Sequence, residues 1–200
     1  MDEVSRAGGR SSWLGQPEFE DSGSSFTGAA NRQMERLVGD FGRLYRERNE
    51  ALDEVARAHH EVLFRLSLAA DLRDDDTGVH IIRLGFLSEK LALKMGHTQA
   101  KARMLRKAAP MHDIGKIGTP DYVLKKPGPL TPQERQIMNQ HAAQGAEILG
   151  RSRIPMFQMA AEVALTHHER WDGDGYPHRL AGADIPVSGR LVAVVDFFDA

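Results

Sequence analysis

From Met34 onward, apolar side chains recur in alternating steps of four and three: Met34, Val38, Phe41, Tyr45, Leu52, Val55, Val62 and Leu66. Arg48 and His59 fill the two remaining positions of that register, and Arg, Glu and Asp crowd the sites between. A seam of this kind predicts a long helix that pairs with a parallel copy of itself, the two polar seam positions setting register. The alternative is one long helix laid against its own domain. Gly39 and Gly42 weaken the first part of the seam.

Further along, the apolar positions fall into shorter helical stretches, over roughly 61–73, 77–96, 99–114, 132–149, 155–169 and 188–200. Breaks are expected at Asp74-Asp75-Asp76, Gly96, Gly115 to Pro120, Pro127-Gly128-Pro129, Gly150 to Pro155 and the loop from Gly173 to Pro186. Thr131 with Glu134 three residues later reads as a capping box opening one of these helices. No stretch alternates with period two, so the expectation is all-α. Before the seam, residues 1–30 are rich in Gly, Ser and charge. Such a segment buries too little apolar surface to offset its ordering entropy and reads as a disordered tail. The organisation expected is a tail over 1–30, a linker helix or coiled coil over 31–60, and a compact domain over 61–200.

Composition narrows the class. Hydrophobic residues make up 41% of the chain and charged residues 27%, enough to build a core with a solvated surface. A formal net charge of -2 gives no broad cationic field and argues against a nucleic-acid polymer as the main partner. There is no cysteine, so disulfides and thiolate chemistry drop out. The first ten residues lack an apolar run, so no signal peptide is expected, and no apolar run is long enough for a membrane span. These features together read as a soluble intracellular protein.

The candidate chemistry lies in histidines and carboxylates on otherwise apolar stretches. His112-Asp113 offers two metal ligands from adjacent residues, and His167-His168 offers two more. Asp76 and His80 stand four apart, on one helix face if the turn includes both. His141 sits mid-helix, and Asp196 interrupts the apolar run from Leu191 to Phe198. A carboxylate in so apolar a run is costly to bury unless it is paired or bound to a cation. Taken singly, each residue also reads as a hydrogen-bonded structural group. As a set from five segments, mixed nitrogen and oxygen donors suit a multinuclear site for Fe, Mn or Zn and metal-assisted hydrolysis. Lys116, four residues after His112, is either a cation for phosphoryl charge or an exposed helix-end lysine.

Three segments carry a resemblance: RDDDTGVH (73–80), MHDIGKIG (111–118) and HHERWDGDGYP (167–177), with KKPGPLTPQE between the last two and AVVDFFDA at the end. In this order they resemble the HD-GYP domain, a branch of the HD metal-dependent phosphohydrolases, over residues from about 61 to 200. The resemblance implies an all-α HD-domain helical bundle in the bacterial cytoplasm and a phosphodiesterase that opens cyclic di-GMP to pGpG and onward to GMP. It implies two or three divalent ions, Fe or Mn, held by His80, His112, Asp113, His141, His167, His168 and Asp196, with Asp113 bridging two of them. Asp76 matches the place where members with a third metal carry a glutamate. Lys116 matches a lysine beside the scissile phosphate, so that Asp113 and Lys116 are the catalytic pair. Gly175, Tyr176 and Pro177 form the signature loop, which is either a lip for substrate and a docking face for a diguanylate cyclase domain, or a structural turn. A silent regulatory module and a phosphohydrolase for another nucleotide are the alternatives. The family continues beyond the position of Ala200, so the resemblance also implies a domain incomplete at its C-terminus.

Overall fold

The computed structural model describes residues 22–73 and 78–199. Its elements are helices α1 (Ser22–Arg73), α2 (Val79–Lys94), α3 (Gln99–Ala108), α4 (Asp121–Leu124), α5 (Pro132–Gly150), α6 (Pro155–Thr166) and α7 (Val187–Asp199). Short 3₁₀ turns lie at Ala109–Met111, Ile114–Gly118 and Gly182–Asp184, and no strand occurs among the described residues. The all-α expectation holds. Among the described residues no helix is long and apolar enough to cross a membrane. The chain divides into two units between Leu52 and Asp53.

The first unit holds the N-terminal part of α1. This helix begins at Ser22, inside the stretch expected as a tail, where Ala29 and Ala30 favour helix over disorder. Residues 1–21 lie outside the described residues. The seam residues Met34, Val38, Phe41, Tyr45 and Leu52 are all exposed, Phe41 to 77%.

In the second unit the seam continues as exposed Val55, Val62 and Leu66. A different face of the same helix turns inward: Ser67, Ala70 and Asp71 are buried, and Leu63 packs on the core. The stretch expected as a separate helix over 61–73 is therefore the end of α1. Arg73 closes it, donating to the carbonyls of Ile117 (2.9 Å) and Thr119 (3.2 Å) and pairing with Asp121 (2.7 Å).

Two apolar clusters hold the domain. One joins Leu84 and Ala92 of α2, Leu105 of α3, Val163 of α6 and Leu191, Val192 and Val195 of α7. The other joins Met111, Ile114, Leu149, Phe157, Ala160 and Ala164. Both clusters draw on α3 and α6, so these two helices form the frame against which the ligand-bearing segments pack. The expected capping box is formed: the Glu134 amide donates to Thr131 Oγ1 (3.3 Å), and the Thr131 amide donates to Glu134 Oε2 (2.7 Å).

Sequence periodicity overran two helix ends. The helix expected to reach 114 stops at Ala108, because Pro110 has no amide hydrogen to continue the ladder. The chain proceeds in 3₁₀ turns on either side of His112-Asp113. The helix expected to reach 169 stops at Thr166, which sets His167-His168 just beyond its end. The single-turn helix α4 was not anticipated.

Candidate metal centre

The ligand-type residues come from helix interiors and from helix ends and converge on a common centre. His80 lies in the first turn of α2, His141 midway along α5, and Asp196 in the last part of α7. His112-Asp113 occupies the break between two 3₁₀ turns, and His167-His168 the exit from α6. The break at 112–113 lies close against α5. A Cβ on Gly115 would run into the His141 carbonyl oxygen and stand 2.5 Å from the Gly145 nitrogen. Glycine is what lets Asp113 reach His141.

Two groups of donor atoms result, each with all atoms within 4.8 Å of one another: Asp113, His141, His167 and His168, and His80, His112 and Asp196. The Asp113 carboxylate stands between them. Its Oδ1 lies 3.2 Å from His141 Nε2 and 3.5 Å from His167 Nε2. Its Oδ2 lies 3.3 Å from His112 Nε2 and 2.9 Å from Lys116 Nζ. Asp196 Oδ1 is 3.1 Å from His80 Nε2 and 3.6 Å from His112 Nε2. The structure thus brings together His80, His112, Asp113, Lys116, His141, His167, His168 and Asp196. Asp76 lies outside the described residues.

The backbone decides which ring nitrogen carries the proton. Nδ1 of His112 faces the carbonyl of Ala109 (3.1 Å), that of His141 the carbonyl of Met138 (2.7 Å), and that of His167 the carbonyls of Val163 and Ala164 (3.1 and 3.0 Å). A carbonyl only accepts, so each Nδ1 is the donor and each Nε2 of a neutral ring presents a lone pair. Those lone pairs point at carboxylate oxygens, which also only accept. Asp113 Oδ1, His141 Nε2 and His167 Nε2 are buried and lack a hydrogen-bond partner among the described residues. Acceptors converging on acceptors in a buried site repel one another unless a cation stands between them. The donor set therefore fits divalent metal: the cluster could hold ions through imidazole nitrogen and carboxylate oxygen.

The electrostatics follow from the same packing. Burial pushes the Asp113 carboxyl up, but the charge of a protonated His112 ring beside it outweighs burial and holds it well below the usual carboxylate range. Burial and the adjacent His167 push His168 down to about 2. Burial likewise lowers His167. His80, bonded to Asp196 and also to Asp199, is raised to about 9 despite burial.

Around the cluster a cavity of about 390 Å³ is lined by Asp71, His80, Arg83, Lys116, His168 and Asp199 among others. The loop with Gly175, Tyr176 and Pro177 packs against His168 and lines a separate recess beside Gln136 and Gln140. Tyr176 stacks on His168 with ring centres 4.6 Å apart, and its amide donates to the His168 carbonyl (3.2 Å). Gly175 passes so near the chain that a Cβ would lie 2.5 Å from Glu169 Cα. Glu169 was not singled out from the sequence, yet its buried carboxylate accepts from the amides of His178 (2.7 Å) and Leu180 (2.9 Å) and ties the loop down. Asp71 and Asp199 were missed as well. Asp199 carried a usable signal, three residues beyond Asp196 on the same helix. A separate groove of about 510 Å³ beside Phe64, Phe86 and Arg106 has no clustered ligand set among the described residues.

Residues 50–200 match the family described as HD domain. A Thermotoga maritima protein named cyclic di-GMP phosphodiesterase is 52% identical over 140 residues, covering 70% of this chain and 38% of the relative. A Vibrio cholerae 3'3'-cGAMP-specific phosphodiesterase 2 is 47% identical over 167 residues (84% and 32%). The cyclic di-GMP phosphodiesterase response regulator RpfG of Xanthomonas campestris pv. campestris is 42% identical over 150 residues (75% and 40%). The aligned part is thus 32% to 40% of these relatives' own length.

Proposed function

The chain belongs to the HD domain family in its HD-GYP form, and from that membership we propose that it is a metal-dependent phosphodiesterase hydrolysing cyclic di-GMP in the bacterial cytoplasm. The observation that carries this reading is the buried convergence of His141 Nε2, His167 Nε2 and Asp113 Oδ1, three acceptors without a hydrogen donor among them. Two such donor groups support two divalent ions, one of which would be held by Asp113, His141, His167 and His168 and the other by His80, His112 and Asp196, with Asp113 Oδ2 3.3 Å from His112 Nε2. Nitrogen and oxygen donors without thiolate accept Fe, Mn or Zn, and the HD-GYP resemblance points to Fe or Mn. A third ion would need Asp76.

When bound, the ions supply Lewis-acid neutralisation of a phosphodiester and a water of lowered pKa. The chain's own residues do the rest. His112, His141, His167 and His168 would hold the ions through rings already oriented by backbone and packing. Lys116, 2.9 Å from Asp113 Oδ2, places a positive charge at the rim, where it offsets charge gathering on the phosphoryl oxygens. Tyr176 over His168 walls the site on the loop side. In the reaction, water oxygen bonds to phosphorus, the bond from phosphorus to the 3′ oxygen breaks, and that oxygen leaves protonated. The product is linear pGpG, and a second hydrolysis gives GMP.

The name of the Vibrio cholerae relative at 47% identity favours a second reading, 3'3'-cGAMP as substrate. Two partner readings accompany the first. The exposed seam of α1 suits pairing with a second copy, and the loop bearing exposed Trp171, Asp172 and Asp174 suits a diguanylate cyclase domain. The experiment is hydrolysis of cyclic di-GMP and of 3'3'-cGAMP with metal content measured on the same sample. Release of pGpG that requires Mn or Fe, lost together with the metal in His112→Ala and Asp113→Ala, supports the reading. Metal-loaded protein inert on both substrates refutes it and leaves a regulatory module.

A further inference from the structure

His80 differs from its neighbours in how its ring is held. The Nδ1 atoms of His112, His141 and His167 rest on backbone carbonyls, whereas His80 stands between two carboxylates. Its Nδ1 lies 2.8 Å from Asp199 Oδ2 and its Nε2 lies 3.1 Å from Asp196 Oδ1. A neutral imidazole has one proton for these two acceptors. If the proton goes to Nδ1, Nε2 is free to bind a cation beside Asp196. If it goes to Nε2, the ring bonds to Asp196 instead, and both lose a donor position. Asp199 is the nearer of the two acceptors and is itself fixed: Arg83 Nε donates to its Oδ1 (2.8 Å) and Oδ2 (3.1 Å). The spacing that permits this is helical on both sides. His80 and Arg83 are three apart on α2, and Asp196 and Asp199 are three apart on α7.

We propose that Asp199 is a positioning residue for the metal centre: it holds the His80 proton on Nδ1 and turns Nε2 toward the cation, while Arg83 holds Asp199. This rests on the reading that the cluster binds divalent ions. A carboxylate behind a ligating histidine also makes the ring a stronger donor than a carbonyl does, and loss of such a partner costs about 10–100-fold in metal affinity.

The test has two arms, run on the full 200-residue chain as wild type, Asp199→Ala, Asp199→Asn and Arg83→Ala. In the first, Mn2+ itself is the probe, and its stoichiometry and affinity are read by electron paramagnetic resonance and calorimetry. Asp199→Ala should weaken one of the sites by about 10–100-fold and leave the other near wild type. Asp199→Asn, whose amide oxygen still accepts from Nδ1, should recover part of the loss. Arg83→Ala should fall between wild type and Asp199→Ala. In the second arm, nitrogen NMR of the His80 ring is recorded on metal-free protein in alkaline solution, where the ring is neutral. Wild type should carry the proton on Nδ1, and Asp199→Ala should carry it on Nε2. Wild-type affinity at both sites in a folded Asp199→Ala variant, or an Nδ1 proton retained in it, overturns the proposal. If wild type binds no Mn2+, the metal reading of the cluster fails, and the ring tautomer alone decides the role of Asp199.

Discussion

Gly115→Ala tests how closely the centre depends on backbone approach. A Cβ there would overlap the His141 carbonyl oxygen and lie 2.5 Å from the Gly145 nitrogen and 2.8 Å from the His141 carbonyl carbon. Real Cβ atoms almost never come within 3.0 Å of another heavy atom. Relief must come from backbone, since no flexible side chain is in the way. The 3₁₀ turn that follows Asp113 and the α5 turn bearing His141 must part by about 1 Å, and a misplacement of about 1 Å costs on the order of 100-fold in rate. Asp113 Oδ1 and His141 Nε2, now 3.2 Å apart, are the first atoms to feel it. Overpacking of this kind costs about 1–3 kcal/mol. For a chain of this size that is a fall in Tm of about 2–12 °C. The assay is thermal denaturation with Mn2+ titration and cyclic di-GMP hydrolysis on the same preparation. Hydrolysis and Mn2+ affinity should each fall about tenfold or more by the same displacement argument. Gly145→Ala, whose Cβ would lie 3.2 Å or more from its neighbours, should do less harm, and Gly39→Ala, with open space around it, should do none. A Gly115→Ala protein with wild-type Tm, affinity and turnover would refute the reasoning.

Four further outcomes are expected. Glu169→Ala removes the buried acceptor for the His178 and Leu180 amides, so stability should fall by about 1–3 kcal/mol and the KM for cyclic di-GMP should rise, with Glu169→Gln intermediate in both measurements. Phe157→Ala empties a fully buried core position away from the ligand atoms; denaturant titration should give a loss of about 3–5 kcal/mol while turnover of the folded fraction stays near wild type. Chelation should lower Tm, because an ion at 100 times its Kd stabilises the fold by about 2.7 kcal/mol per site, and Asp113→Asn should erase the difference between chelated and Mn2+-loaded samples in a thermal scan. Phe41→Glu puts charge on the exposed seam of α1, so sedimentation should find wild type paired and the variant as single chains.

Much of this was legible in the chain itself. The helical class follows from apolar spacing near 3.6 residues, a local property, and the Thr131–Glu134 cap follows from two residues three apart. The adjacent pairs His112-Asp113 and His167-His168 stand out because so many donors in apolar surroundings have no cheap alternative to pairing or binding a cation. Local pattern failed at the helix ends. Periodicity carried α3 past Pro110 and α6 past Thr166, and those ends are what free 112–113 and 167–168 to turn inward.

Tertiary packing decided the rest. The ring nitrogens of His112, His141 and His167 are oriented locally, by carbonyls three or four residues back, but that their Nε2 atoms meet around Asp113 and Asp196 is decided only by the packing of distant segments. Glu169 looks in sequence like an ordinary surface acid, and Asp199 shows only its spacing from Asp196; the packing of α7 on α2 and the return of the loop over His168 give them their partners. Spacing along a chain encodes which side chains share a face. The few tenths of an ångström that separate a hydrogen bond from a cation site arise only where faces from distant segments meet.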